Sequence, residues 1–135
     1  MMLKLIMRLN IKYILASLLL SASLSVHATH ISEPILNDTK TKYHLGEKII
    51  LNGWVSYDNK PTADVLLAFK VANPDGSIAI EESYPSDVNG EFIFKFPTNN
   101  LAPGAYLVTV TSHCQAIHRS ICTYKNKTLS IEIVD

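Results

Sequence analysis

The stretch DVNGEFIFKF, residues 87 to 96, joins a turn-forming sequence to a run in which every second residue is phenylalanine. Asn and Gly accept the positive φ angles that tight turns require. Phe92, Phe94 and Phe96 then follow with a period of two, which places them together on one face of a strand. The stretch therefore predicts a turn followed by a strand that buries one face.

The same alternation recurs on both sides of this strand. The other alternating apolar sets are Ile49, Leu51 and Val55; Val65, Leu67, Phe69 and Val71; Ile78 and Ile80; Tyr106, Val108 and Val110; and Leu129, Ile131 and Ile133. Turn sequences such as YDNKP at 57–61 and NPDG at 73–76 separate them. ISEPIL at 31–36 predicts a further strand at a sheet edge, broken by Pro34, because proline has no N–H to donate. This pattern predicts an all-β fold, an antiparallel sandwich or barrel of about seven strands.

The first 28 residues predict a secretory signal peptide. Lys4, Arg8 and Lys12 precede the uncharged run at 13–26, which matches a basic region followed by an apolar one. A membrane span is the alternative, but a span takes about 20 apolar residues and this run contains four serines. Cleavage after Ala28 would leave residues 29–135 as one exported domain without a membrane span, in the periplasm or outside the cell.

The charge balance of residues 29–135 argues against nucleic acid as a partner. Three of the 12 basic residues lie in the predicted leader, so 9 basic and 12 acidic residues remain, a formal charge of −3. Binding to phosphates needs a basic surface, which this composition does not offer.

Four segments together resemble a known class of domain. They are YHLGEKIILNGWV at 43–55, ANPDGSIAI at 72–80, SDVNGEFIFKF at 86–96 and LAPGAYLVTV at 101–110. They resemble immunoglobulin-like domains of bacterial surface proteins and are similar to the second macroglobulin-like domain (MG2) of the alpha-2-macroglobulin family. The resemblance, over roughly residues 38–112, implies an immunoglobulin-like β-sandwich that serves as a binding or structural module. The chain has no thioester sequence, so the inhibitory activity of that family is not expected.

The segment HCQAIHRSIC, residues 113 to 122, contains both cysteines of the chain. Export to an oxidising compartment favours a disulfide between Cys114 and Cys122, which flank one connection between neighbouring strands. A zinc or copper site formed with His113 and His118 is the alternative, although the spacing matches no common zinc module. A catalytic redox pair is less favoured, because such pairs are usually separated by two residues at the start of a helix.

A second metal hypothesis starts from the predicted new amino terminus. Cleavage after Ala28 would place His30 second in the chain, as in small periplasmic copper carriers similar to the CopC family. Its imidazole and the free amine could bind copper, with His44, His113 or His118 completing the site. The alternative is that these histidines are scattered at the surface.

Two loops and one face are candidates for binding a partner, and a contact at a sheet edge that adds a strand of the partner is equally open. The loops present His113, His118 and Arg119 from the cysteine segment, and Asp58, Asn59 and Lys60 from YDNKP. The face contains Ile50, Trp54 and Ile93, which have the wrong parity for the core, as do Leu66 and Leu107. A partner protein would cover that face, or the segment 31–44 covers part of it, or its apolar residues are isolated at the surface and have no binding role.

No motif supports catalysis, and a triad assembled from Ser112, His113 and an aspartate lacks any recognised context. The sequence therefore predicts an exported, non-enzymatic module without a cofactor, which binds another protein or a cell-surface component. An exported copper or zinc carrier is the alternative function.

Overall fold

The computed structural model describes residues 29–135, and the predicted leader at 1–28 lies outside them. The strands are β1 His30–Leu36, β2 Lys42–His44, β3 Lys48–Tyr57, β4 Lys60–Pro61, β5 Leu66–Ala72, β6 Ile78–Pro85, β7 Glu91–Pro97, β8 Gly104–Ser112, β9 Cys122–Tyr124 and β10 Asn126–Val134. A single turn of 3-10 helix, Ala116–His118, lies between β8 and β9. Within residues 29–135, no helix has the length and apolar character needed to cross a membrane.

The strands form two sheets that pack face to face. In the first sheet the order is β4-β3-β1-β9, with β7 paired to β3 as well, and in the second it is β2-β10-β8-β5-β6. The chain passes from the first sheet to the second between β1 and β2, so its amino-terminal segment contributes a strand to each. This is the architecture of an immunoglobulin-like sandwich, and it confirms the predicted all-β fold.

The core consists of the side chains that the alternation assigned to one face of each strand. Phe94, Phe69, Val108 and Ile131 are fully buried between the sheets. The ring of Phe69 stacks on that of Phe94 with 4.7 Å between their centroids, which joins β5 of the second sheet to β7 of the first. The period-two pattern is therefore the direct cause of the two-layer packing.

Two pairings correct the prediction that the sandwich is wholly antiparallel. β1 pairs with β9 in parallel, and β2 pairs with β10 in parallel. Each of these pairings involves three residues. β2, β4 and β9 were not predicted, because strands of two or three residues are too short to show a period.

Pro34 lies inside β1, opposite Val55 of β3, and is not a break in the strand. The backbone of Ser32 bonds toward β9, since its carbonyl accepts from Lys125 N at 2.8 Å. Pro34 lies two residues after Ser32, so its backbone nitrogen also points away from β3. The pairing of β1 with β9 ends at Ser32, so the missing N–H of Pro34 removes no bond of either pairing. The predicted edge position is thus correct at this residue.

β1 approaches β3 so closely that only glycine fits at residue 53. A Cβ built on Gly53 would lie 1.9 Å from the carbonyl oxygen of Ile35 and 2.9 Å from the ring of Phe92. Both distances are far below van der Waals contact, so β1 and β3 can approach this closely only because residue 53 has no side chain.

Three connections lie at the same end of the sandwich. Asp58 and Asn59 form a two-residue turn between β3 and β4, with φ values of 52° and 65° that suit a type I′ hairpin. The turn at 86–90 contacts this region, because Gly90 O accepts from Val55 N at 2.8 Å. The connection from β8 to β9, residues 113–121, is the third. We call this the loop end of the domain.

Candidate functional site

The disulfide lies at the centre of the loop end. Cys114 and Cys122 are bonded, with Cα atoms 6.0 Å apart, and this confirms the predicted pairing. The cysteines do not flank a connection between two neighbouring strands, as the sequence suggested, because Cys122 begins β9, which pairs with β1 in the first sheet. Because Cys114 follows β8 of the second sheet, the bond closes a loop that crosses from one sheet to the other.

A cluster of rings connects this loop to the β3–β4 turn. The rings of His30 and His118 stack with centroids 3.7 Å apart. The hydroxyl of Tyr57 lies 2.7 Å from His118 Nδ1 and 3.7 Å from the Sγ atom of Cys122. On the other side of the stack, the Nδ1 atom of His30 contacts the carboxylate of Asp58. The cluster thus joins β1, β3, the turn and the disulfide-closed loop.

Asp58 is held in place by two partners on β1. Its second carboxylate oxygen accepts from the backbone N–H of Ile31 at 2.9 Å. The hydrogen bond from His30, followed by the one from Ile31, lowers the pKa of Asp58 below its ordinary value of 3.8. Bonds to the charged form favour ionisation, so the carboxylate is the form that orders the turn against β1.

The structure brings together some of the predicted site residues and separates others. His30, Asp58 and His118 meet in the ring cluster, and Asn59 and Lys60 project beside them into solvent. His113 lies elsewhere, with its ring 5.5 Å from that of Tyr124. Arg119 and His113 line a shallow depression of about 320 Å³ next to the disulfide.

His44 lies far from this cluster in the fold. It ends β2 and its Nδ1 atom is 3.3 Å from the backbone oxygen of Asp135. β2 pairs with the last residues of β10, at the opposite end from the start of β1. His44 therefore does not complete a site with His30.

The ligand set of the metal hypothesis is not assembled here. Both cysteine sulfurs are in the disulfide, and no group of three or more His, Cys, Asp or Glu side chains within residues 29–135 is arranged to hold an ion. The Nδ1 atoms of His30 and His118 contact Asp58 and Tyr57 respectively. Stacked imidazoles direct their lone pairs side by side and not toward one point, so one ion would need the stack to open.

The arrangement also lacks an accessible nucleophile at the position that the sequence raised. Ser112 is fully buried, and its hydroxyl makes no hydrogen bond to any residue of the described chain. A triad of Ser112 with His113 is therefore not formed.

The predicted apolar face is on the outer side of the first sheet. Ile50 and Ile93 are about half exposed, at 47% and 53%, while Trp54 is only partly exposed. Leu66 and Leu107 lie on β5 and β8, so they belong to the other sheet. The segment 31–44 does not cover the face; β1 pairs edge to edge with β3 and places Ile35 beside Trp54.

Sequence reasoning did not identify Tyr57 as part of the site. Its position continues the inward parity of Ile49, Leu51 and Val55, and the residue is 5% exposed. The alternation therefore predicts that Tyr57 is buried, but it gives no reason to expect more than an ordinary core residue. Only the folded chain shows that the hydroxyl at the end of this core side chain reaches His118.

No protein-family model and no curated protein matches this sequence. Similar solved structures include a β-glucosidase from Listeria innocua in complex with glucose, with 10% identity, a TM-score of 0.49, and coverage of 77% of this chain and 16% of that one. A CARDB domain from Pyrococcus furiosus, in complex with di-metal ions, is 10% identical with a TM-score of 0.43 and coverage of 78% and 87%. The adhesin InvE from Yersinia pseudotuberculosis is 14% identical with a TM-score of 0.45 and coverage of 77% and 32%.

These similarities are too distant to carry an argument about activity or partners. This chain corresponds to only a small part of the glucosidase and about a third of the adhesin. The predicted similarity to the macroglobulin-like domain is not among these matches and stays a prediction.

Proposed function

We propose that this protein is an exported, non-enzymatic binding module that recognises a protein or cell-surface partner through its loop end. The observation that supports this most directly is the convergence of the two predicted recognition loops. Asp58 of the first loop and His118 of the second both contact His30, so the loops form one surface. Loops presented by a rigid sandwich are a common recognition surface.

The exposed side chains of this surface suit a protein partner. Ile117, in the 3-10 turn, is 84% exposed, and Tyr124 is 57% exposed. Arg119 lines the depression that Tyr124 also lines, and Lys60 is exposed in the other loop. Aromatic and arginine side chains surrounded by polar groups are the composition that protein interfaces favour.

The contacts beneath the surface favour preorganisation. The disulfide, the stacked histidines and the hydroxyl of Tyr57 restrict the loop before any partner binds. A loop that is already ordered loses less conformational entropy on binding, which increases affinity. The disulfide also agrees with the proposed export, since such bonds persist in oxidising compartments.

Site-specific photo-crosslinking in the native host would test this proposal. A benzophenone amino acid would replace Ile117 or Lys60 at the loop end, and the exposed Lys42 of β2 as the matched control at the opposite end. We expect the same discrete adduct from both loop-end positions and none from position 42. Equal labelling from all three positions, or no adduct from the loop end, would contradict the proposal.

A further inference from the structure

No strand formed by residues 29–135 closes one side of the sandwich. β6 is the last strand of the second sheet, and β7 pairs only with β3 in the first. Both free edges therefore border the same gap between the sheets, and the turn at 86–90 connects them. Near the far end of this gap is a cleft of about 480 Å³.

The backbone of β7 presents unpaired groups to this gap. In β3, Asn52 O accepts from Asn37 N on the β1 side, whereas Val55 N donates to Gly90 O on the β7 side. Odd-numbered residues of β3 thus bond toward β7, and in the observed register they face even-numbered residues of β7, such as Phe94 opposite Leu51. The N–H and C=O groups of odd residues in β7 consequently point to the free edge.

Part of this edge is already occupied. Both backbone groups of Glu91 bond to Asp87, and the hydroxyl of Tyr84 donates to the carbonyl of Ile93 at 2.6 Å. Burial, followed by the nearby charge of Glu82, raises the pKa of Tyr84 to about 12, so the phenol keeps its proton. The edge groups to which residues 29–135 give no hydrogen-bond partner are the N–H of Ile93, both groups of Lys95 and the carbonyl of Pro97.

These remaining groups lie directly beside the cleft. Its lining includes the apolar side chains of Ile80, Phe96 and Leu101. Glu82 also lines it and forms no ion pair with any residue from 29 to 135. The neighbouring Glu81 differs, because it pairs with Lys70 on the outer face of the sheet.

A second copy of this chain is a poor occupant for the edge. A symmetric antiparallel pairing centred on Ile93 would need the backbone groups of Glu91, which Asp87 already uses. A pairing centred on Lys95 would set two lysines directly opposite each other, which is destabilising. A pairing centred on Phe94 would need the carbonyl of Ile93, which already accepts from Tyr84. One centred on Phe96 would set Lys95 opposite Pro97, which has no N–H to donate.

We propose that this open side binds an extended peptide segment of a partner protein, which adds a short strand to β7 between Ile93 and Pro97. One apolar side chain of the peptide enters the cleft against Phe96 and Leu101. A lysine or arginine two positions away, on the same face of the added strand, pairs with Glu82. This site is separate from the loop end and goes beyond the function proposed above.

Panning a phage-displayed library of random 12-residue peptides against the purified, disulfide-bonded protein tests the proposal. We expect enriched peptides that carry a large apolar residue with a lysine or arginine two positions away. Lys95→Pro, which removes an edge N–H without touching the β3 ladder, should weaken their binding by about tenfold or more. Lys95→Ala keeps that N–H and should bind nearly as wild type does, as should Lys60→Ala at the loop end.

A change on the peptide side covers the case in which Lys95→Pro does not fold. Methylating the peptide backbone nitrogens that face β7 should abolish binding to the wild-type protein, while methylation on the opposite edge should leave binding unchanged. Failure to enrich any peptide, equal binding to the proline and alanine variants, or indifference to methylation would overturn the proposal. Photo-crosslinking at the loop end is independent of all these results.

Discussion

Replacing Cys114 and Cys122 together by alanine should lower the melting temperature of the domain by roughly 10 to 20 °C. The two residues are separated by 8 positions, and the chain-entropy estimate for closing so short a loop is about 2.5 kcal/mol. Neither cysteine is fully buried, so loss of packing adds little. For a domain of about 100 residues, each kcal/mol changes the melting temperature by about 4 to 8 °C.

Removing the disulfide should destabilise parts of the domain beyond the loop that it closes. Cys122 is the first residue of β9 and opposes His30, so freeing it releases one end of the β1–β9 pairing. The stack of His30 on His118 and the contact of Tyr57 with His118 depend on the same loop geometry. We therefore expect one cooperative transition at a lower temperature and not a separate early transition.

Circular dichroism melts at neutral pH would measure the effect. The wild-type protein in a phosphine reductant should have the same melting temperature as the double variant. Ser120→Ala, an exposed change in the same loop, should have the melting temperature of the oxidised wild type. A double variant that melts within about 2 °C of the wild type would show that the loop frays independently of the sandwich. In that case the argument from chain entropy fails.

Four further outcomes are expected. Gly53→Ala should destabilise the domain by on the order of 3 kcal/mol in urea unfolding, because its Cβ would overlap the carbonyl of Ile35. Folding lowers the pKa of Asp58, so the stability that its carboxylate contributes is complete above the ordinary pKa and is lost as the pH falls through the lowered value. Asp58→Asn should therefore reduce the fall in the free energy of unfolding between neutral and acidic pH. Ser112→Ala, which removes an unpaired buried hydroxyl, should be neutral or stabilise by up to about 1 kcal/mol. Calorimetric titration with Cu²⁺ or Zn²⁺ should show no stoichiometric binding, whereas binding that is lost in His118→Ala would favour the carrier alternative.

Seven of the ten strands within residues 29–135 correspond to patterns in the sequence. A period of two fixes which side chains share a face of a strand, so β7 must bury the face that carries Phe92, Phe94 and Phe96. The turn at Asp58 and Asn59 was equally predictable from the sequence, since these residues tolerate the positive φ that a two-residue hairpin needs. Local constraints such as these act between residues that are neighbours in the chain.

The pairing of the cysteines was also predictable, but from a different kind of argument. Export and a short separation favoured a disulfide between the only two candidates. That Cys122 belongs to β9, in the opposite sheet from the strand before Cys114, was not predictable. β9 has three residues and exists because β1 lies beside it.

The sequence alone thus determined the all-β class, the core faces, the main turns and the one covalent cross-link, because each depends on residues close together in the chain. Only the tertiary structure decided that His30, Asp58 and His118 meet, since Asp58 lies 28 positions after His30 and His118 lies 88 positions after it, and neither interval carries a local signal. It also decided which sheet edge stays open. Strand order and the meeting of distant loops result from packing the whole core, and no short stretch of the sequence contains them.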